Sequence, residues 1–260
     1  MKDRAGWIVL AVLACAVAAG GYLWLQQEKQ PPPARPETAP NPQAKPAPPA
    51  HYPVPQAGDA VSLPTLDQSD TAMRTLLASL FGRNVFEEYF SPQAIVRRVV
   101  ATVDNLPREK VAQRLMPVKR VAGPMLLTGE GAKRTISAEN ARRYLPYVAI
   151  AESVESGKLV DAYVSYYPLF QQAYKELGYP TEYFNNRLVE VIDHLLEAPE
   201  PKGPIELVQR KVLYEFSDPD LEARSAGQKI MLRIGSENAS RVKAKLRELR
   251  RDLTRFTPKS

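Results

Sequence analysis

Ser91-PQAIVRRVVATVDNLP-Arg108 decides the architecture of this chain. Ile95, Val96, Val99, Val100 and Val103 recur at the spacing that gathers side chains on one face of an α-helix. Arg97 and Arg98 fall off that face, so the segment predicts an amphipathic helix with one buried stripe. Ser91-Pro92 is the expected opening, because proline at the first helical position lacks only an N–H that would be unpaired there. Pro107 ends the helix. The closing turn, Asp104-Asn105-Leu106-Pro107-Arg108, is rich in polar groups. Carboxylate and amide side chains there satisfy free backbone N–H groups, and Arg108 pairs with an acid. The same turn offers a recognition surface through Asp104, Asn105 and Arg108.

The surrounding sequence continues the helical pattern. Asp67 or Ser69 is expected to cap a helix through Leu80 that Gly82 closes. Met125–Thr128 and Lys133–Ile136 flank Gly129-Glu130-Gly131 and predict a small hairpin. Helices are expected from Ala138, over Lys158–Leu177 and over Glu182–Glu197, with Pro146 and Pro168 kinking or splitting two of them. Ile205–Val208 and Val212–Phe216 form a second candidate strand pair. Asp218-Pro219 and Ser225 each open a short helix, and Ser236 is expected to cap the last, which reaches Arg255. The expected fold class is therefore mainly α: one compact helical domain over 62–256 with one or two small β-hairpins.

Toward the amino terminus the composition changes twice. Trp7–Leu25 reads WIVLAVLACAVAAGGYLWL, without a charged residue. As a helix it rises about 28 Å, the thickness of bilayer hydrocarbon, so residues 7–25 predict a transmembrane helix. Lys2 and Arg4 outweigh Asp3 before it, while Glu28 and Lys29 cancel behind it. The positive-inside rule then puts residues 1–6 in the cytoplasm and the domain in the periplasm, held at the cell inner membrane. Ala16-Val17-Ala18 suits a cleaved signal peptide instead, yet the apolar run continues through Tyr22-Leu23-Trp24-Leu25. Residues 26–61 read as a proline-rich disordered tether. Eleven of the 24 prolines lie within 30–58, a composition that favours extended polyproline II and cannot bury a core. Pro46-Ala47-Pro48-Pro49 is its best candidate for a recognition motif. Cys15 is the only cysteine, so no disulfide, zinc cluster or catalytic thiol is available to the domain. No cofactor or metal is expected.

Four stretches carry a resemblance. They are Val99–Arg108 (VVATVDNLPR), Tyr167–Pro180 (YPLFQQAYKELGYP), Phe184–Leu196 (FNNRLVEVIDHLL) and Arg233–Glu248 (RIGSENASRVKAKLRE). In this order they resemble an uncharacterised bacterial family of membrane-anchored proteins, a domain of unknown function (family 3014). The resemblance extends over 62–256 and implies a single-pass envelope protein. It brings with it no activity, substrate or catalytic residue.

Chemistry must be read from the residues. His194 is the only histidine of the domain, on the flank of a helical stripe, with Glu190 and Glu197 near it in sequence. A carboxylate–histidine group does acid–base work or holds a metal, but neither HExxH nor Glu-x-x-His occurs. Ser240-Arg241-Val242-Lys243 has the Ser-x-x-Lys spacing of penicillin-binding enzymes without their Lys-Thr-Gly element. Asp104, Glu109, Asp161, Glu190 and Asp193 are eligible for a carboxylate pair acting on a sugar polymer. Residues 241–255 hold seven Lys or Arg against two acids. Through Arg241, Lys243, Lys245 and Arg247, such a helix suits anionic lipid, an acidic polymer or an acidic partner.

Two function classes follow. One is a binding or scaffolding module of the envelope, with inner-membrane lipid around 7–25 and an envelope protein or anionic polymer, not nucleic acid, as its partner. The other is an envelope hydrolase or modifying enzyme using a carboxylate pair or His194. They differ in whether Arg187, Asp193 and His194 converge with Asp104 and Arg108 in a cleft.

Overall fold

Ile95, Val96 and Val100 are buried, as their spacing on one helix face requires. The same rule orders the rest of the structure, a computed structural model that describes residues 52–55, 63–131, 134–210 and 213–256. The chain divides into Met1–Pro46 and Ala47–Ser260, and every described residue belongs to the second unit. The expected transmembrane helix over 7–25, and most of the expected tether, lie outside the described residues. Among the described residues, no helix is long and apolar enough to cross a membrane.

Ten α-helices occur among the described residues: α1 (Asp70–Phe81), α2 (Arg83–Tyr89), α3 (Ile95–Asn105), α4 (Glu139–Arg142), α5 (Leu145–Glu152), α6 (Ser156–Glu176), α7 (Phe184–Leu196), α8 (Pro219–Glu222), α9 (Ala226–Arg233) and α10 (Ser236–Thr254). Four short strands, β1 (Leu127–Thr128), β2 (Arg134–Ile136), β3 (Glu206–Gln209) and β4 (Tyr214–Phe216), complete a mainly helical fold. Both expected hairpins form. They also join, because β2 pairs antiparallel with β3 (Arg134 opposite Leu207), giving one sheet in the order β1-β2-β3-β4.

Several local expectations are corrected. Ser91-Pro92 does not open α3. Phe90 forms a β-bridge with Val118, and the Ser91 N–H donates to the Pro117 carbonyl at 2.8 Å, which holds this stretch extended. The helix starts at Ile95 after a left-handed Ala94, and its cap comes from another element. The Asp70 carboxylate accepts from the Ala94 N–H (2.7 Å) and the Ile95 N–H (2.9 Å). Ser69 is the N-cap of α1, as expected, but its hydroxyl donates to the Leu66 carbonyl rather than capping the helix N–H groups. The unexpected α2 begins directly at Gly82, whose φ of 91° turns the chain between two helices. Gly235, not Ser236, is the N-cap of α10. It too has positive φ, and a Cβ there would stand 2.8 Å from the Ala141 Cβ. Pro146 sits in the first turn of α5, just after the break that follows α4, whereas α6 runs on through Pro168.

Packing divides into neighbouring clusters. Met73, Phe86, Val96, Val100, Tyr174 and Phe184 join α1, α2, α3, α6 and the start of α7. Val160, Val189, Ile192 and Leu253 join α6, α7 and α10. Met231, Ile234 and Ala239 join α9 to α10, and Leu207, Phe216 and Leu232 seat the sheet on α9.

Candidate functional site

The C-terminus of α3 is the most elaborate polar centre of the domain. Asp104 is only 2% exposed, although a lone buried carboxylate is strongly disfavoured. Three side chains surround it. Arg108, one turn later, donates to Oδ2 at 2.6 Å. Arg187 of α7 places Nε 3.2 Å from Oδ1 and donates from a terminal nitrogen to the Asp104 carbonyl at 3.1 Å. That Nε is buried and too poorly aligned to make a hydrogen bond, so its contribution is charge alone. The Tyr179 hydroxyl lies 3.2 and 3.3 Å from the two carboxylate oxygens and accepts from Arg108 at 3.0 Å.

Local structure explains how Tyr179 arrives. Helix α6 ends at Glu176, and Gly178 at φ 119° reverses the chain. Tyr179 then stacks on the buried Tyr174 with centroids 4.4 Å apart, aiming its hydroxyl at Asp104. Burial, with Glu182 beside it, holds the Tyr174 phenol well above its usual pKa.

The backbone of the same turn caps another helix. The Leu106 and Arg108 carbonyls accept from the Gly227 (2.8 Å) and Ala226 (2.7 Å) N–H groups, the first turn of α9. A side chain at 227 would have to push Leu195 aside and crowd the turn, since a Cβ would stand 2.6 Å from Leu195 Cδ2 and 3.0 Å from the Leu106 carbonyl oxygen. His194 joins this corner through Nε2, 2.7 Å from Ser225 Oγ, while that oxygen accepts from the Gln228 N–H at 3.2 Å. The Gln228 amide returns a bond to the His194 carbonyl at 2.9 Å. Asn105 donates to the Ala101 carbonyl within its own helix.

The sequence candidates therefore separate. Asp104, Arg108 and Arg187 meet directly, and His194 engages the adjacent α9 cap. Asp193 lies on another face of α7 and is paired with Arg250 of α10. Most of the basic helix is occupied inside the fold. Arg241 grips Glu152 with two nitrogens, at 2.9 and 2.5 Å, and holds that carboxyl below its usual range. Lys243, buried, donates to the Ala198 carbonyl (2.7 Å) just past α7 and to Glu200 (2.5 Å). Lys245, also buried, donates to the Val154 carbonyl just past α5. These ammonium groups neutralise helix C-termini, where cations are favoured. Arg255 pairs with Asp161, and Arg247 is exposed. A cationic binding face is thus reduced mainly to Arg247 and its neighbours.

Two clefts open elsewhere, of about 140 Å³ beside Arg233 and Ser236 and about 510 Å³ beside Glu222 and Lys229. Of the carboxylates eligible for a catalytic pair, Glu109 lines the second cleft, with Glu215 and Glu222, whereas Asp104, Arg108, Arg187, Asp193 and His194 line neither. Among the described residues, no group of three or more His, Cys, Asp or Glu is placed to hold a metal ion.

Sequence reasoning missed Asp70 and three asparagines, and reached Tyr179 only as one of the eight tyrosines of 144–183, read as core-edge packing or a ring-stacking groove for glycan or peptide. Asn140 is wholly buried, accepting from the Leu126 N–H (3.0 Å) and donating to the Arg233 carbonyl (2.9 Å). Asn185 and Asn186 bind the backbone of Tyr52. The available signal was the doubled asparagine inside Phe184–Leu196.

No curated protein and no solved structure matches the chain. A family model does match, over residues 95–250, from the first residue of α3 to Arg250 of α10, and this span contains Asp104, Arg108, Arg187 and His194. By that match over more than half its length, the chain belongs to the family described as protein of unknown function (DUF3014).

Proposed function

We propose that the chain is a non-catalytic binding or scaffolding module of the bacterial envelope. Residues 7–25 anchor it in the inner membrane and a proline-rich spacer carries the domain on the periplasmic side. The contact surface is the turn at the end of α3. One observation carries this reading: buried Asp104 organises two arginines and Tyr179 while the Arg108 side chain remains 53% exposed. A fixed, half-exposed guanidinium has the fork geometry that recognises carboxylates or phosphates. Leu177, 42% exposed at the end of α6, adds an apolar contact beside Tyr179 in the chain. The preferred partner is therefore an acidic envelope protein or anionic polymer.

The hydrolase reading has less support. Both Asp104 oxygens already have partners, Asp193 is paired with Arg250, and His194 is bonded to Ser225.

A photo-crosslinking residue placed at Glu109, exposed next to Arg108, tests the surface in intact cells while keeping the Arg108 guanidinium. Capture of one acidic partner, lost on Arg108→Glu, is the expected result. A reporter fused after Ser260 tests the topology and should be active only outside the cytoplasm. Activity confined to the cytosol would overturn the anchored reading.

A further inference from the structure

Between α6, α7 and α10 the domain grips a piece of its own chain. The Tyr52 N–H donates to Asn186 Oδ1 at 3.0 Å, and the Tyr52 carbonyl accepts from Asn185 Nδ2 at 3.0 Å. Two side-chain amides thus read both backbone groups of one residue, as a neighbouring strand would. Asn185 is wholly buried, and its carbonyl oxygen accepts from the Tyr163 hydroxyl at 3.2 Å, which fixes the amide in place. The Tyr52 ring packs with Val160, Val189, Ile192 and Leu253. Its hydroxyl reaches Arg250, which Asp193 holds in position. Pro53 and Pro55 follow; proline fixes φ and keeps such a segment extended.

These contacts define a ligand. It is an extended backbone with an aromatic hydroxyl side chain followed by proline. Pairs of hydrogen bonds and one ring make a weak grip for a free peptide, whereas a covalently attached guest acts at an effective concentration of about millimolar. Residues 52–55 therefore stay seated without a tight intrinsic fit. A partner segment with the same tyrosine–proline core and further contacts on either side can take their place.

We propose that this face is a recognition site for an extended tyrosine–proline peptide of a partner protein, with residues 52–55 as its resident, displaceable guest. It lies on a different set of residues from the Arg108 surface, so failure of the test below leaves the crosslinking result standing.

The test uses the full-length chain in detergent and a fluorescein-labelled peptide of residues 50–57, followed by fluorescence anisotropy. The Tyr52→Ala chain should bind this peptide about tenfold or more tighter than the wild-type chain, because its own guest no longer competes. Adding Asn186→Ala should reverse that gain, and a peptide with alanine for tyrosine should not bind. Equal binding to wild type and Tyr52→Ala overturns the proposal. So does absence of binding to a Tyr52→Ala chain that melts like wild type. A wild-type dimer that Tyr52→Ala dissolves would make a second copy the occupant and would also overturn it.

Discussion

Asp104 concentrates the fold's polar risk in one side chain. Its carboxylate neutralises Arg108 and part of Arg187, so Asp104→Asn leaves two guanidinium groups short of a partner. Breaking a buried pair from one side costs about 3–5 kcal/mol. Half-exposed Arg108 lowers that toward about 2 kcal/mol, measured as a shift in urea midpoint at unchanged slope. Replacing Arg108 itself with alanine should cost less, because Arg187 and Tyr179 still serve the carboxylate. Gly227→Ala has a different cause. The new methyl meets Leu195 and the Leu106 carbonyl where α9 approaches the turn, and overpacking of this kind costs about 1–3 kcal/mol. Urea unfolding of Gly227→Ala beside Gly227→Ser should show the larger side chain to be worse.

At the level of elements, helices here are finished by their neighbours. Asp70 caps α3 across 24 residues, Lys243 and Lys245 of α10 serve carbonyls past α7 and α5, and the α3 turn caps α9. Asp70→Ala should destabilise the domain by about 1 kcal/mol. Amide exchange should quicken first at Ala94 and Ile95, which is the direct check. This sharing also marks the limit of what could be read from sequence. The stripe Ile95, Val96, Val100 was legible because it is periodic, and Asp218 and Ser225 were legible because their caps are local, accepting from Asp220 and Gln228. Ser91 and Ser236 look like caps equally well, but long-range contacts at Pro117 and Ala141 decided those ends. The seven cations of 241–255 suggested an outward face for the same reason. Their acids, Glu152, Asp161, Asp193 and Glu200, lie far away in sequence. Among the site residues, Asp104 and Arg108 share a turn and could be paired by eye, while Arg187 and Tyr179 reach them only through the packing of α7 and the reversal at Gly178.

For the whole molecule, these ion pairs set the response to pH. Arg97 beside Glu176, Arg241 beside Glu152 and Lys243 beside Glu200 hold three carboxyls below their usual pKa of 4.5. In Glu222 burial pushes upward, but Lys229 and the Phe216 N–H together outweigh it and hold this carboxyl below its usual range as well. Groups with lowered folded pKa contribute stability that is complete above about pH 4.5 and disappears as pH falls through their folded values. Urea midpoints should therefore drop on acidification below that point, and Glu222→Gln should soften the drop. At the alkaline end burial raises Tyr163 and carries Tyr167 up to about 12 from 10. A raised tyrosine favours the neutral form in the fold, so stability persists below pH 10 and declines as pH climbs toward 12. Tyrosinate absorbance should show these phenols ionising late, together with loss of helical circular dichroism. The β2–β3 ladder has its own bearing on biogenesis. Arg134 meets Leu207 only after the segment carrying α4 to α7 has been made, so a polypeptide emerging amino-end first presents the β1–β2 hairpin with its β2 edge still unpaired throughout that interval. The nascent molecule is most vulnerable to aggregation, and most in need of a chaperone, in the window between synthesis of β2 and arrival of β3.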